Sequence, residues 1–422
     1  MRSGSGARHA RRPVSRTVRA IYLPRTADAG AFAMTTYGIP LLVLATTDSA
    51  SLTGLAFALE WIPRLSAFAL AGAMVDRYGT TRVLRYASVA RALVVLAAAL
   101  VLPACSTGLA ATATVMLLAA VAGVLTEFSY IAAETAGAAA SREAGERAHR
   151  MQTVLLGIEQ VATLAGPALA GLLLQHTGVA GMLVTLACFS LAAAALAPRR
   201  LRQPVAEPAP VMTGLRTGWE TLRSLPALAW LVTGMTLANL GVGLMQAAAP
   251  VIVVQQLGCS SADVGLIWSA AALTSLLAIA VCRTAIERYG LWAVGATSAA
   301  VVSGAGLMVA TLAHTYTAYL IVIAVLMAGE GGMSVVLRTL RSRLIPPETF
   351  GATLGLTILI FLLPFPLAGI LVALTPASAL GSVVTACAVL QALGLTLTFA
   401  RLRTLPGLHT TKVRPGGAPL CN

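Results

Sequence analysis

The sequence predicts an all-α membrane protein with twelve transmembrane helices in two pseudo-symmetric six-helix bundles. Three observations predict it: an apolar composition, twelve long apolar segments, and basic residues that alternate between connections. Hydrophobic residues make up 58% of the 422 residues and charged residues only 10%, against roughly 25% charged in soluble domains. So little charge cannot cover a water-facing surface, which excludes a soluble enzyme, a nucleic-acid-binding domain and a disordered regulator.

The apolar segments have the length of membrane-spanning helices. Such a helix needs about 20 apolar residues, and lipid admits only helices or closed barrels. The segments are too long and alternate too little for barrel strands. The predicted helices cover residues 21–46, 51–75, 83–103, 108–135, 151–175, 178–198, 227–257, 262–284, 290–313, 316–338, 350–374 and 378–400.

The basic residues indicate how the chain is oriented. They lie in both tails, with Arg25 counted in the N-terminal one, and in the even-numbered connections, with Arg91 counted in the second although it is just inside the third helix; the odd-numbered connections have none. The exception is Arg64, inside the second helix. By the positive-inside rule both termini are cytoplasmic. The Arg- and Ser-rich N-terminus also fits a transit peptide, but Lys412 is the only lysine and Arg and Ala abound. This composition favours a GC-rich bacterium, so we expect a multi-pass protein of the bacterial inner (cytoplasmic) membrane.

The two halves of the chain resemble each other. Val75-Asp76-Arg77-Tyr78-Gly79 follows the second helix, and Ile286-Glu287-Arg288-Tyr289-Gly290 follows the eighth. Repeated halves are typical of secondary transporters. A polar stretch rich in Pro and Arg divides them. The predicted domains are a cytoplasmic basic tail (1–20), an N-terminal six-helix bundle (21–198), a cytoplasmic linker (199–226), a C-terminal six-helix bundle (227–400) and a cytoplasmic tail (401–422).

The connection after the second helix resembles the signature loop of the major facilitator superfamily, Gly-x-x-x-Asp-Arg-x-Gly followed by basic residues. Thr80 and Thr81 depart from it, because basic residues are usual there. The resemblance implies the major facilitator fold over essentially the whole chain. It also implies a gating motif that latches the cytoplasmic side and does not contact substrate. The matching residues are Gly72, Asp76, Arg77, Gly79 and Arg82.

A motif in the fifth helix is similar to the Gly-Pro-x-x-Gly-Gly pattern of exporters in this superfamily. Gly166, Pro167 and Gly171 match it, and Ala170 replaces one glycine. The alternative is an ordinary membrane helix kinked by proline. Three further segments resemble a bacterial subgroup that includes the enterobactin exporter, macrolide efflux proteins and a lysophospholipid transporter. These segments are Pro40–Leu44, Gly214–Trp219 and Leu344–Glu348.

Ionisable side chains at membrane depth are costly and usually functional. In the family, the first, fourth, seventh and tenth helices line the central cavity. That arrangement places Asp28, Glu127 and Glu330 around the substrate path. Asn239 and Gln246, seven residues apart, share one face of the seventh helix. Glu159 lies on the face of the exporter-type motif, and we expect a structural or gating role for it.

Glu330 is the first candidate for proton coupling, followed by Asp28 and Glu127. A carboxyl group in a low-dielectric cavity holds its proton up to near-neutral pH, which is what a proton antiporter needs. Glu330 lies near mid-membrane, and we expect its three neighbouring glycines to leave space around it. Each acid has alternatives: it is paired for packing, or it binds a cationic substrate directly.

Glu60 and Arg64 are spaced i, i+4 and so share one face of the second helix. Arg64 is predicted to be the only basic residue deep in a span. It closes an ion pair with Glu60 or Asp28, or it receives an anionic group of the substrate. We favour the internal pair. A free Arg64 would favour carboxylate-bearing siderophores as substrates.

The resulting hypothesis is a proton-coupled exporter (antiporter) of a small amphiphilic molecule, such as a siderophore or drug, that works by alternating access. An importer or a lysophospholipid flippase on the same fold is the alternative, followed by a non-transporting sensor or enzyme. Neither catalytic residues nor a metal site is expected, because the six cysteines show no metal-ligand spacing. No P-loop occurs, so no cofactor is expected and the proton gradient supplies the energy. The expected partners are the substrate, protons and the lipid bilayer, without nucleic acid, and the monomer is expected to function.

Overall fold

The computed structural model describes residues 18–105, 108–143, 148–198, 211–312 and 314–405. Regular secondary structure in these ranges is entirely helical. Ten helices are long and apolar enough to cross a membrane, and a bent pair makes eleven spans. One of the ten, Ala148–Leu196, is broken at Gly178, where φ is 69° and ψ is −170°. It therefore supplies two crossings, and the described segments make the twelve spans that the sequence predicts.

We number the membrane helices α1 to α12 in chain order. The N-terminal half contains α1 (Leu23–Thr47), α2 (Ala50–Tyr78), α3 (Thr80–Ala104), α4 (Leu109–Glu143), α5 (148–177) and α6 (179–196). The C-terminal half contains α7 (Pro226–Pro250), α8 (Ser261–Tyr289), α9 (Leu291–Leu312), α10 (Tyr316–Leu344), α11 (Phe350–Leu362 and Pro364–Leu374) and α12 (Leu380–Leu402). Short π-helical turns precede α1 and follow α7.

The linker between the halves contains a helix, Val211–Ser224, which we call the linker helix. It packs against the first piece of α11, because Gly218 has no side chain to keep the two backbones apart. A Cβ atom on Gly218 would lie 2.6 Å from the carbonyl oxygen of Ala352. The linker helix is therefore docked on the C-terminal half.

The sequence repeat between the halves is also a structural repeat. Gly79 and Gly290 end α2 and α8 with φ of 84° and 88°, a left-handed backbone that glycine adopts without strain. Their N–H groups donate to the carbonyls four residues earlier. The preceding arginine stacks on the tyrosine beside it in both copies, at 5.3 Å in the first and 5.4 Å in the second.

The hydrophobic core shows where the two halves are joined. Since twelve crossings alternate, the start of α1, the end of α12 and the linker helix lie on one membrane face, which we call the tail face. The opposite face is the far face. One core cluster combines side chains of both halves from mid-membrane to the far face, including Leu41, Phe57, Leu244 and Val372. Towards the tail face each half has its own cluster. The halves are thus joined at the far face and separate towards the tail face.

Two helix crossings close the far face. At the α2–α11 crossing, a Cβ atom on Gly54 would lie 2.7 Å from the carbonyl oxygen of Gly369. At the α5–α8 crossing, a Cβ atom on Gly265 would lie 2.9 Å from the carbonyl carbon of Pro167. Glycine permits such close backbone approach in membranes. The Gln255 amide donates across the same face to the Asp48 carboxylate at 2.9 Å.

The α2–α11 crossing yields a first prediction. In Gly369→Leu the new side chain would collide with the backbone of α2, so the closed far face should open. We expect the distance between spin labels at Ala45 and Ser378, in a cysteine-free background, to become longer and broader. Gly304→Leu is the control, because a Cβ atom there meets nothing within 4 Å. Unchanged distances in Gly369→Leu would show that this crossing does not hold the far face closed.

Candidate functional site

A cluster of three buried charges lies between α2 and α4, and we call Glu60, Arg64 and Glu127 the central cluster. Gly123 brings the two helices together, because a Cβ atom there would lie 3.1 Å from the backbone carbon of Glu60. One turn further along both helices, Arg64 Nε donates to Glu127 Oε2 at 2.6 Å. Arg64 Nη1 lies 3.7 Å from Glu60 Oε1. All three side chains are buried.

Aromatic rings connect the central cluster to the other half of the protein. The guanidinium of Arg64 lies 4.3 Å from the centroid of Trp61 and 4.6 Å from that of Phe32. Trp61 stacks on Phe365 of α11 with the ring centroids 4.4 Å apart. The cluster therefore adjoins the α2–α11 crossing that closes the far face.

The favoured internal pair of Arg64 is present, but its closest partner is Glu127. Asp28 is not near this pair, because it contacts a different arginine. Arg91 Nη2 donates to Asp28 Oδ1 at 3.0 Å, and both residues are buried. The prediction that Arg64 is the only basic residue deep in a span is therefore wrong. The sequence groups Arg91 with the basic connection, whereas it lies eleven residues beyond the start of α3.

Arg91 ties four helices of the N-terminal half together. Besides Asp28 of α1, its guanidinium donates to Ser190 of α6 at 2.9 Å and to Ser129 of α4 at 3.0 Å. A buried charge is stable only when it is paired and hydrogen-bonded in this way. The geometry gives Asp28 a packing partner, which is the alternative that the sequence left open for it.

A second group of charges lies nearer the tail face. Arg25, which the sequence places in the basic N-terminal region, is buried and bonds to Glu134 at 2.6 Å. It also lies 3.8 Å from Glu159. The Tyr130 hydroxyl is 3.3 Å from Glu159. Glu159 thus contacts α1 and α4, and its structural or gating role stays a prediction.

Glu330 lies near the middle of α10, on the side away from α8 and α9. The expectation that its neighbouring glycines leave space around it is wrong. A Cβ atom on Gly331 would lie 2.7 Å from Ser275 of α8, and one on Gly329 would lie 2.9 Å from Ser298 of α9. The glycines admit these two helices and turn Glu330, at 100° per residue, to the side that faces away from both. Its Oε1 is buried without a hydrogen-bond partner in the described residues.

The two polar residues of α7 differ in their contacts. Asn239 Nδ2 donates to the backbone carbonyl of Phe361 in α11 at 3.1 Å. Phe361 is in the last turn before α11 breaks, where carbonyls lack their usual helical partners. Gln246 is buried, and its Nε2 has no partner among the described residues. Asn239 therefore joins two helices, whereas the amide nitrogen of Gln246 joins it to none of the described residues.

The gating motif lies at the tail face in an open arrangement. Asp76, Arg77 and Arg82 are exposed, and no ion pair of Asp76 occurs within the described ranges. A Cβ atom on Gly72 would meet nothing within 4 Å, so Gly72 does not serve a close helix approach in this conformation. Within the described ranges, the motif therefore does not make the latching contacts that the family resemblance implies.

The exporter-type motif lies where α5 meets both α1 and α8. Gly171 admits the backbone of α8, since a Cβ atom there would lie 3.1 Å from Ala262 Cα. The N–H of Ala168 donates to Ser269 of α8 at 3.2 Å. Gly166 faces Ala33 of α1 in the same way. The motif is therefore part of the interface that closes the far face.

Metal-ligating side chains do not gather in the part of the chain that the structure describes. There, His, Cys, Asp and Glu form no group of three that could hold a metal ion. The site consists of buried charges, amides and aromatic rings.

Comparison with known proteins establishes the family. Residues 26–369 match the Major Facilitator Superfamily, and this chain belongs to it. No curated protein sequence matches the chain. Among solved structures, a bacterial homologue of the iron transporter ferroportin, in an inward-facing state, is 17% identical with a TM-score of 0.68; the match covers 91% of this chain and 97% of that one.

Two further solved structures show the same fold. A mutant of the nucleoside transporter NupG is 13% identical with a TM-score of 0.69, and the match covers 90% of this chain and 99% of that one. A D-xylose–proton symporter is 14% identical with a TM-score of 0.68, covering 88% and 96%. At these identities the likeness concerns the fold. The family and fold identify a multi-pass membrane transporter rather than an enzyme.

The Arg91 network yields a second prediction. Arg91→Gln leaves the Asp28 carboxylate buried without its partner, which costs about 3–5 kcal/mol. We expect a clear fall in the thermal unfolding midpoint of the purified protein, partly restored in Asp28→Asn/Arg91→Gln. Arg216→Gln is the control, because the Arg216–Glu220 pair is exposed and such pairs contribute about 0–1 kcal/mol. Equal midpoints for Arg91→Gln and the control would contradict the prediction.

Proposed function

We propose that this transporter exports a small amphiphilic molecule, such as a siderophore or drug, in exchange for protons. It does so by alternating access in the bacterial inner membrane, with the tail face in the cytoplasm. The observation that carries the proposal is a pair of buried carboxyl groups, Glu60 in one half and Glu330 in the other. Both have oxygens without hydrogen-bond partners among the described residues, and both lie near the middle of their helices.

The positions of the basic residues support the orientation. Those in the described chain lie at the tail-face ends of the helices and in the linker helix, apart from Arg64 and Arg91 inside the N-terminal bundle, which is the bias of cytoplasmic connections. With the halves joined at the far face and separate at the tail face, the structure corresponds to an inward-open state. In this state a cytoplasmic substrate has access to the space between the halves.

Glu330 is the proposed coupling residue of the C-terminal half. It lies on the side of α10 that α8 and α9 leave free, and its carboxyl oxygen lacks a partner among the described residues. Such a group is stable when neutral and gains from ionising when water or a cationic substrate reaches it. Proton binding and substrate binding at Glu330 therefore compete, and this competition couples export to proton entry.

The central cluster is the proposed coupling site of the N-terminal half. Two carboxylates and one guanidinium carry a net negative charge when all are ionised, which is costly at full burial. Glu127 has the short bond to Arg64, so Glu60 is the group that holds the extra proton. Through Trp61 and Phe365 this site adjoins the crossing that must separate when the far face opens.

The proposed direction of transport, which is export, rests on the exporter-type motif. Gly166, Pro167 and Gly171 lie in the α5 interface, where a bend or a looser contact would alter the closure of the far face. This location supports a conformational role for the motif. Export is the direction in which the family uses it.

A lysophospholipid flippase is the second candidate, and one groove favours it. A cavity of about 600 Å³ lies among α2, α3 and α4 near the tail face. Its lining is mainly apolar, with Arg82 available to a phosphate group. A lipid could enter such a groove sideways from the bilayer. The lining includes Met74, Tyr78, Arg82, Tyr86 and Phe128.

Efflux measurements test the coupling by Glu330, and this is our third prediction. In a bacterium that lacks its own exporters, Glu330→Gln should reduce efflux of siderophores or fluorescent drugs at least tenfold. A protonophore should do the same to the wild type. Glu348→Gln is the control, because Glu348 is an exposed acid just beyond α10. Normal efflux by Glu330→Gln, with no effect of the protonophore, would refute proton exchange at Glu330.

The two acids of the central cluster yield a fourth prediction. Glu60→Gln imitates the protonated acid, so its unfolding midpoint should stay within about two degrees of the wild type while proton-driven efflux is lost. Glu127→Gln removes a charged hydrogen bond, worth about 1.5–3 kcal/mol, and should lower the midpoint. The reverse order of stabilities would show that Glu127, not Glu60, holds the proton.

A further inference from the structure

One guanidinium in the C-terminal half has no acidic partner among the described residues. Arg341 lies near the tail-face end of α10 and is only 8% exposed. Its Nε and Nη2 atoms are buried without a hydrogen-bond partner in the same part of the chain. Every other arginine that is buried in the described chain, namely Arg25, Arg64 and Arg91, has a carboxylate partner.

An aromatic ring lies beside Arg341. Its guanidinium carbon lies 4.9 Å from the ring centroid of Phe361 in α11. Within the described ranges, Arg341 therefore has a ring beside it and unused donors, but nothing that neutralises its charge.

Arg341 shares a face of α10 with Glu330. The two are eleven residues apart, which is three turns and a rotation of about 20° at 100° per residue. Both therefore lie on the side of α10 that α8 and α9 leave free. Arg341 is nearer the tail face, so a molecule that enters between the halves from that face would reach it before Glu330.

The chemistry of an unpaired guanidinium selects an anion. Its planar set of N–H donors fits carboxylate and phosphate groups with two parallel bonds. A buried ion without a partner is costly by several kcal/mol, so an entering anion would relieve this cost. Phe361 offers an apolar surface to the remainder of the same molecule.

We propose that Arg341 is the anion-binding subsite of this transporter. It binds the carboxylate or phosphate group of an amphiphile, and the remainder of the molecule extends along α10 towards Glu330. The inference rests on the proposed transport function and narrows its substrates to amphiphiles that carry an anionic group for Arg341 in addition to the group that displaces the proton of Glu330. The carboxylate recognition that a free Arg64 would have provided belongs to Arg341, because Arg64 is paired within the central cluster.

The test compares two probes that differ only in charge. The purified full-length protein, in nanodiscs of phosphatidylcholine, is titrated with 2-naphthoate and with 2-naphthamide by calorimetry. We expect the wild type to bind 2-naphthoate at least tenfold more tightly, and Arg341→Gln to bind the two equally. Arg338→Gln is the matched control, because Arg338 is exposed and one turn away; it should keep the wild-type preference.

Arg341→Lys is a second variant that tests the proposal if Arg341→Gln fails to fold. It retains the charge but loses the planar donor set, so its preference for 2-naphthoate should fall at least threefold without disappearing. The proposal is overturned if the wild type does not prefer the anion, or if the preference survives in Arg341→Gln. It is also overturned if the preference disappears equally in Arg338→Gln, since that would be a general effect of surface charge.

A second arm identifies the source of the anion. Nanodiscs containing phosphatidylglycerol should weaken 2-naphthoate binding to the wild type more than binding to Arg341→Gln only if an anionic lipid headgroup competes for Arg341, because the negative membrane surface repels the probe equally from both proteins. An equal effect on both proteins assigns the subsite to a soluble amphiphile. The titrations involve no proton gradient, so a failure of proton coupling at Glu330 would leave them unchanged. Failure of the anion preference would equally leave the efflux result for Glu330→Gln unchanged.

Discussion

The cost of an unpaired charge in a lipid-surrounded bundle is the constraint on which the rest of this structure depends. A buried ion must be paired, neutralised by a proton, or placed where water and ligand reach it. Asp28 and Arg91 satisfy this constraint by pairing, and they tie the N-terminal helices together as a result. In our proposal, Glu60 satisfies it by holding a proton. Glu330 and Arg341 lie on the side of α10 that faces away from α8 and α9, and we propose that solvent or substrate satisfies them.

The contact between the two halves at the far face depends on glycines, which have no side chain, rather than on charge. Gly54, Gly369 and Gly265 let backbones meet at the two far-face crossings, and no comparable shared core exists towards the tail face among the described residues. Dispersion forces and close packing hold such crossings, since lipid provides no hydrophobic drive between helices. Contacts of this kind separate at a moderate cost, which suits an interface that has to open and close.

The sequence predicts the number of spans and the repeat well, because both depend on local patterns. Apolar length determines each helix, and Gly79 and Gly290 mark equivalent turns that need a positive φ.

The ion pairs could not be predicted in the same way. Arg64 pairs with Glu127 and Arg91 with Asp28, each across 63 residues, and nothing local marks Glu127 rather than Glu60 or Asp28 as the closest partner of Arg64. The basic residues just before Arg91 predict that it belongs to a connection, and this prediction is wrong. Its distance from the start of the predicted third helix is the signal that could have placed it inside the span. The expectation that the glycines leave space around Glu330 is wrong because the sequence does not show which helices those glycines face.

The central cluster is in direct contact with the residues that close the far face. Through this contact, a change of charge in the cluster would act on the crossing that opens and closes during alternating access. Arg64 lies against Trp61, and Trp61 stacks on Phe365 of the opposite half. Removing the proton from Glu60 adds a negative charge 3.7 Å from Arg64, which draws the guanidinium towards Glu60 and away from its present contacts. The stack at the crossing then loses part of its support. In the C-terminal half, an anion at Arg341 and a proton at Glu330 act on the same face of α10. In our proposal, each half therefore has one carboxyl group that exchanges a proton and one buried arginine, Glu60 with Arg64 in the first half and Glu330 with Arg341 in the second.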